Sequence, residues 1–343
     1  MPPHYPRPGL AAVFAPILAC VAAAWSTACT APRDPRAADA PSEVSQRENR
    51  AAMALVPGRF ELRDGAQLPA ERRGSEPAQW VLVGAAWLVP DVPPWLPGPL
   101  VALDGRARAG FEPEPGRTAL EQDVRDLVEF LAAERSAGAP PPRIVAQGYQ
   151  ALVAALAAAQ SPDAVGGLVL IAPLPARRLP HLDDFARAAA PRLEPQALAK
   201  AQAQLAKGAR DPKLAAEIER LLLAPRFANP GLARRVQADP FVGLLDAGAA
   251  LESHAERAIA ELGDYDMRDT LAKVRAPTWV VHGAGDCLPR AASAEFADAI
   301  PGGLLVVIER SGAFPWIEAP AAFRSLVERV VAAGRSFPVF SAP

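Results

Sequence analysis

The sequence predicts an α/β fold, with a mostly parallel central sheet, helices on both faces and a helical insertion in its later half. Two observations lead there. Short, continuously apolar runs of strand length recur along the chain and alternate with stretches of helical periodicity. Strands that are apolar at every position, not at every second one, belong to a parallel sheet covered on both faces. One long stretch, residues 181–265, breaks the alternation, being helical in pattern without a strand candidate. The chain has 343 residues, 50% of them hydrophobic and 22% charged. That is an ordinary globular balance, with enough chain for one large core and an insertion.

The first element in order is not part of the fold. Arg7 supplies a short positive region, and Gly9 to Trp25 form an apolar run interrupted by Pro16. This is the shape of an export signal. Ser26-Thr27-Ala28-Cys29 places small residues before a cysteine, as in a bacterial lipoprotein cleavage box, and Ile17-Leu18-Ala19-Cys20 is a competing box. Cys29 is preferred for lipidation, because more apolar chain follows Cys20 while the chain turns polar and proline-rich after Cys29. Residues 1–29 are thus expected to export the chain and to tether it to a membrane by acyl groups. A cleaved signal, leaving a secreted or periplasmic protein, and an uncleaved anchor are the alternatives. Residues 30–56 mix charge, proline and alanine without a sustained apolar face, which reads as a flexible linker.

The body follows as 57–180 and 266–335, with 181–265 as a lid. Strand candidates are Trp80–Val83, Leu100–Leu103, Arg143–Val145, Leu168–Ile171, Thr278–His282 and Leu304–Ile308. Helical spacing of Leu120, Val124, Leu127, Val128 and Leu131, with Thr118 as the cap, predicts a helix from Thr118 to Glu134. Further helices are predicted over Gln150–Ala159, Ala291–Ala299 and Pro320–Ala333. Within the lid, Pro195–Leu205 and Leu214–Leu223 have helical patterns, and Pro195 suits a first turn.

Composition excludes several functions. The net charge of −2 and the isolated basic pairs Arg72-Arg73, Arg177-Arg178 and Arg234-Arg235 give no nucleic-acid footprint. Of three cysteines only Cys287 lies in the body, so no internal disulfide framework is expected. Gly283-Ala284-Gly285 lacks the spaced glycines of a dinucleotide or phosphate loop, and His181-Leu182-Asp183-Asp184 lacks metal-ligand spacing. No cofactor and no metal are expected.

Three segments carry a resemblance. Tyr265-Asp266-Met267-Arg268-Asp269-Thr270-Leu271 leads through Ala276-Pro277-Thr278-Trp279-Val280-Val281-His282-Gly283 to Asp286. Ser311-Gly312-Ala313-Phe314-Pro315-Trp316-Ile317-Glu318 is followed by Pro320 and Phe323. Ile144-Val145-Ala146-Gln147-Gly148-Tyr149-Gln150-Ala151 joins a strand to a helix, and Asp104 and Arg106 follow an early strand. From about Phe60 to Ala333 the chain resembles the α/β-hydrolase family, and within it the prolyl-aminopeptidase-like branch. The resemblance implies a serine nucleophile on a strand-to-helix turn, an acid at Asp286 and a histidine after the last strand.

Two of these three groups are missing. The nucleophile position is Gly148, and the flanking glycines of G-x-S-x-G are Ala146 and Gln150. The histidine position is Ala313, which cannot move a proton. The family's His-Gly pair after the first core strand is Gly84-Ala85. Asp286 alone survives, either to bond its own loop or to touch a ligand. Trp87, Tyr149, Phe314 and Trp316 are expected near the mouth of the pocket, as a ligand lining or as core filling. Cys287 beside His282 is a candidate replacement nucleophile and base, or simply a buried thiol. His181 and His254 belong to the lid and are expected to face solvent, a swing over the pocket being the alternative, and Ser311 reads as a turn residue. The first expectation is a membrane-tethered pseudo-hydrolase that binds a small molecule or a protein partner. A hydrolase of ester or peptide bonds working around Asp286 and Cys287, and a structural interaction protein with a filled pocket, stay open as alternatives.

Overall fold

The computed structural model describes residues 55–74, 77–84, 92–106, 113–135, 139–206, 212–235 and 254–333. The segment read as an export signal, with Cys20 and Cys29, nearly all of the segment read as a linker, and Ala85 and Trp87 lie outside these residues. No helix among the described residues is long and apolar enough to cross a membrane.

Eight strands form one sheet: β1 Val56–Glu61, β2 Gln67–Arg73, β3 Trp80–Val83, β4 Leu100–Leu103, β5 Arg143–Gln147, β6 Gly167–Ile171, β7 Thr278–Gly283 and β8 Leu304–Ile308. Their order is β1-β2-β4-β3-β5-β6-β7-β8. β2 runs antiparallel to both β1 and β4, and every later pairing is parallel. The six predicted strands are β3 to β8. Alternate residues of each inner strand enter different cores. Val81, Ile144, Leu168 and Val280 face one, and Leu82, Val145, Val169 and Val281 the other. This two-sided burial is why the runs are apolar at every position.

The hairpin β1–β2 is an addition to the sequence reading. β1 begins at Val56, one residue inside the segment read as linker. Leu62 donates its N–H to the Ala66 carbonyl at 2.8 Å, and Gly65 closes the turn at φ 86°. The buried side chain of Arg73 reaches the carbonyls of Pro93 at 2.7 Å and Gly98 at 3.1 Å, which fixes β2 to the segment before β4.

Four helices flank the sheet as predicted: α1 Ala119–Glu134, α2 Gly148–Gln160, α8 Arg290–Asp298 and α10 Pro320–Ala332. Thr118 forms a capping box with Glu121, each side chain bonding the other's backbone N–H. Arg106 sits buried between Asp126 (2.8 Å) and Asp64 (2.7 Å), tying the loop after β4 to α1 and to the hairpin turn.

Between β6 and β7 every regular element among the described residues is helical. They are α3 His181–Ala189, α4 Pro195–Ala206, α5 Pro212–Leu223, α6 His254–Leu262 and α7 Arg268–Leu271. α3 and α6 bury Leu182, Phe185 and Ile259 in the first core, whereas α4 and α5 bury Leu198, Ile218 and Leu221 in the second. The insertion therefore grips both faces of the sheet. A short helix α9, Pro315–Glu318, follows β8.

Candidate active site

The turn from β5 into α2 passes through Gly148, whose φ is 59°. Side chains are strained in that left-handed region, and glycine is not. The residue before it, Gln147, is buried and extended, and its Nε2 donates to the Ala313 carbonyl at 2.7 Å. Gln150 turns onto Gly84, where a Cβ would lie 2.7 Å from its Cγ. Thus the turn is sharp, and the Gln150 side chain fills a place where the family motif has a glycine.

Ala313 follows β8 and is fully buried. Its N–H donates to the Arg226 carbonyl at 2.9 Å. The segment Pro225–Asn229 of the insertion lies directly on this loop. A Cβ on Gly312 would meet the Arg226 carbonyl oxygen at 2.1 Å, and one on Gly285 would meet Ala228 Cβ at 2.5 Å. Phe227 stacks on Phe314 with ring centres 4.5 Å apart. Glu318 accepts the N–H groups of Gly312 and Asn229, the latter at 3.1 Å. Burial raises its carboxyl above the ordinary range, against the lowering by these backbone bonds.

Asp286 closes the set from the end of β7. Its side chain is fully buried, and Oδ1 accepts the Leu288 N–H at 3.1 Å, so the loop-bonding role holds. Oδ2 has no hydrogen bond and faces Arg226 Nη2 at 3.9 Å. Where the resemblance places a histidine beside the acid, the structure holds an arginine from the insertion. Arg226 Nε is likewise buried without a partner.

Cys287 is buried, its Sγ 2.9 Å from the Pro225 carbonyl, and burial pushes the thiol pKa up. A raised pKa disfavours the thiolate that a nucleophile needs. His282 is not paired with it: Nδ1 lies 3.0 Å from Ser293 Oγ, and burial lowers the imidazole pKa. Ser311 bonds the adjacent Gly312 carbonyl at 3.0 Å, as a turn residue. His181, expected at the surface, is buried with Nε2 3.4 Å from Glu295 Oε2, because α3 packs against α8 there. The side chain of His254 lies outside the described residues.

A cavity opens beside Gly148, lined by Tyr149, Ala172, Leu174, Leu182, Phe185, Arg226, Ile259 and Leu288 among others. Its void is about 30 Å³. Tyr149 borders it, but its hydroxyl is committed to Asp123 at 2.7 Å. Phe314 and Trp316 do not line it; they pack with Phe227 and Phe323 in the second core. Among the described residues no three His, Cys, Asp or Glu side chains are grouped to hold a metal. The sequence reading missed Arg226 and the filling role of Gln147. An arginine in a lid reads as a solvated face, and no motif marks it.

The order β1-β2-β4-β3-β5-β6-β7-β8, with only β2 reversed against its neighbours and the strand-to-helix turn after β5, decides the architecture. The chain has the α/β-hydrolase fold. Solved structures agree. A bacterial membrane phospholipase A superposes with a TM-score of 0.56 at 18% identity, over 85% of this chain and 90% of its own. E-2-(acetamidomethylene)succinate hydrolase gives 0.56 at 18%, over 82% and 100%. A serine hydrolase from the hydrocarbon-degrading bacterium Cycloclasticus zankles gives 0.58 at 16%, over 82% and 99%. No family model and no curated protein matches the sequence. The strand-to-helix turn after β5 passes through Gly148.

Proposed function

We propose that this protein is a non-hydrolytic α/β-hydrolase-fold protein, a binding protein built on a pocket that has lost its acyl-transfer groups. The observation that carries this reading is the pair Gly148 and Ala313. One has no side chain where a nucleophile would stand, and the other is a buried methyl where a base would stand. Losing either group from a serine hydrolase costs about a millionfold in turnover. Gln147 and Arg226 strengthen the reading, since Gln147 bonds the Ala313 carbonyl and Arg226 faces Asp286 where a histidine would stand. The raised thiol pKa of Cys287 and the engagement of His282 with Ser293 speak against a substitute dyad. The resemblance to the prolyl-aminopeptidase-like branch supports descent from an enzyme acting on peptide or ester bonds.

A fluorophosphonate probe tests the proposal on the purified chain. Serine hydrolases are labelled at the nucleophile, and no covalent adduct is expected by intact mass. A stoichiometric adduct would refute it.

The Gln147–Ala313 bond favours a second reading, an interaction protein with a filled pocket. Saturable binding of any small molecule in the cavity separates the two.

We further propose that the chain is exported and anchored through Cys29, on the strength of the small residues before it and the polar chain after it. Metabolic labelling with palmitate is expected to mark the full-length protein, and Cys29→Ala to release it from the membrane fraction. Release by Cys20→Ala instead would move the anchor to Cys20.

A further inference from the structure

We propose that β8 is a self-association edge: two copies of this chain pair their β8 strands antiparallel about a two-fold axis at Val306 and join their sheets into one.

The two edges of the sheet differ. β1 is blunted, beginning with Val56, Pro57, Gly58 and Arg59, all exposed. Proline offers no N–H, glycine weakens a strand and charge keeps an edge in water, so this edge resists further pairing. β8 has no such device. It reads Leu304-Leu305-Val306-Val307-Ile308, without proline, glycine or charge. Its residues from Leu304 to Val307 are only half-buried, although every one is apolar. The neighbouring strands β6 and β7 bury all their residues, so this exposure belongs to the edge. No strand among the described residues pairs with the outer side of β8.

The backbone direction says which groups are open. The N–H of Ala284, just past β7, donates to the Ile308 carbonyl at 3.0 Å, so Ile308 turns its polar backbone toward β7. Successive residues of a strand alternate in this respect. Val306 and Leu304 therefore also face β7, and the N–H and C=O of Leu305 and Val307 point outward. An apolar edge with outward backbone donors and acceptors is a template for another strand.

A second copy of β8 is the occupant that fits. Directly opposed residues of an antiparallel hydrogen-bonded pair exchange both of their bonds. With the axis at Val306, Leu305 lies opposite Val307 of the second copy, and symmetry repeats the pair, so every outward group of both residues is satisfied. Val306 meets its own equivalent, and Leu304 meets Ile308. Each cross-strand pair is aliphatic, the kind that stabilises a sheet. The next residue, the exposed Glu309, falls opposite Gly303, so no like charges are opposed. The strand thus presents the same chemistry read from either end, as a self-complementary two-fold contact requires. Because β1 is blunted, association closes at the dimer and does not continue from the other edge.

Analytical ultracentrifugation of the purified chain tests this. A contact of one short strand per copy belongs to the small, weak class of interfaces, so reversible dimerisation in the micromolar range is expected. Val307→Pro removes an outward N–H and leaves the bonds to β7 in place, where an edge strand tolerates proline. It deletes two hydrogen bonds per dimer and is expected to weaken association at least about thirtyfold. Val306→Lys and Val306→Glu each oppose like charges on the axis and are expected to be monomers, whereas their equimolar mixture is expected to dimerise. The mixture carries the test should Val307→Pro not fold. In hydrogen exchange, the Leu305 and Val307 amides are expected to slow as concentration rises. A wild type that stays monomeric, undiminished association in Val307→Pro, dimers of either charged variant alone, or a monomeric mixture would overturn the proposal. So would protection of the two amides at every concentration, which would assign the edge to another segment of the same chain, such as residues 334–343.

Discussion

Replacing Gln147 isolates the bond that ties the turn after β5 to the loop after β8. Its Nε2 donates to the Ala313 carbonyl at 2.7 Å, and both residues are buried. In Gln147→Ala the bond is lost, about 1 kcal/mol, and the carbonyl is left without its donor, about another 1–2 kcal/mol. Removing side-chain methylene packing adds about 1 kcal/mol. Water entering the vacated space would recover part of this, so the expected loss is about 3 kcal/mol. For a folded body of this size that lowers Tm by about 5 °C. Gln147→Met keeps the volume and removes only the donor, with an expected loss of about 2 kcal/mol. Urea denaturation of the wild type and both variants, with unchanged m-values, measures the difference. If both variants fall within about 0.5 kcal/mol of wild type, as surface substitutions do, the bond does not hold the site closed and the reasoning fails.

Other outcomes follow from the same geometry. Ala172 is a non-glycine residue at φ 42° beside the cavity; Ala172→Gly is expected to be neutral within about 0.5 kcal/mol, whereas Ala146→Gly in β5 loses about 1 kcal/mol, and equal losses in thermal denaturation would contradict the strain. Gly312→Ala would force a methyl group to 2.1 Å from the Arg226 carbonyl oxygen, so a loss above about 2 kcal/mol is expected; a wild-type Tm would show that the insertion does not press on this loop. The imidazole of His282 has its pKa lowered by burial in the folded protein. Its contribution to stability is therefore complete above the unfolded value of about 6.5 and is lost as pH falls below it, levelling off beneath the folded value. His282→Gln is expected to flatten the fall in unfolding free energy as pH drops below about 6.5, and an unchanged slope would assign the acid sensitivity elsewhere.

The legible part of the fold is the part buried on both sides. β3 to β7 announce themselves because nearly all of their side chains are buried, β8 by its unbroken apolar run though only Ile308 in it is fully buried, and Thr118 with Glu121 marks the start of α1 because capping is local. β1 and β2 are silent for the opposite reason. Pro57 and Gly58 lie in an exposed strand, and β2 contains Pro69 and the charged run Glu71-Arg72-Arg73. Glu71 and Arg73 are nonetheless buried, a tertiary fact without a local signature. The site divides the same way. The turn at Gly148 and the loops carrying Asp286 and Ala313 are located from the sequence, because each follows an apolar strand. Arg226 and Gln147 take their roles from partners far along the chain, and nothing in their neighbourhoods distinguishes them from surface residues. Phe314 and Trp316 sit next to Ala313 in sequence, but their rings turn into the second core instead of the cavity.

The central claim is absence of hydrolytic turnover in a folded protein. The most direct measurement is hydrolysis of aryl esters and aminoacyl amides by the purified chain, with Asp286→Asn and Cys287→Ala alongside. The account predicts rates equal to buffer for all three proteins. Turnover by the wild type that disappears in either variant would contradict it and identify a working site around β7.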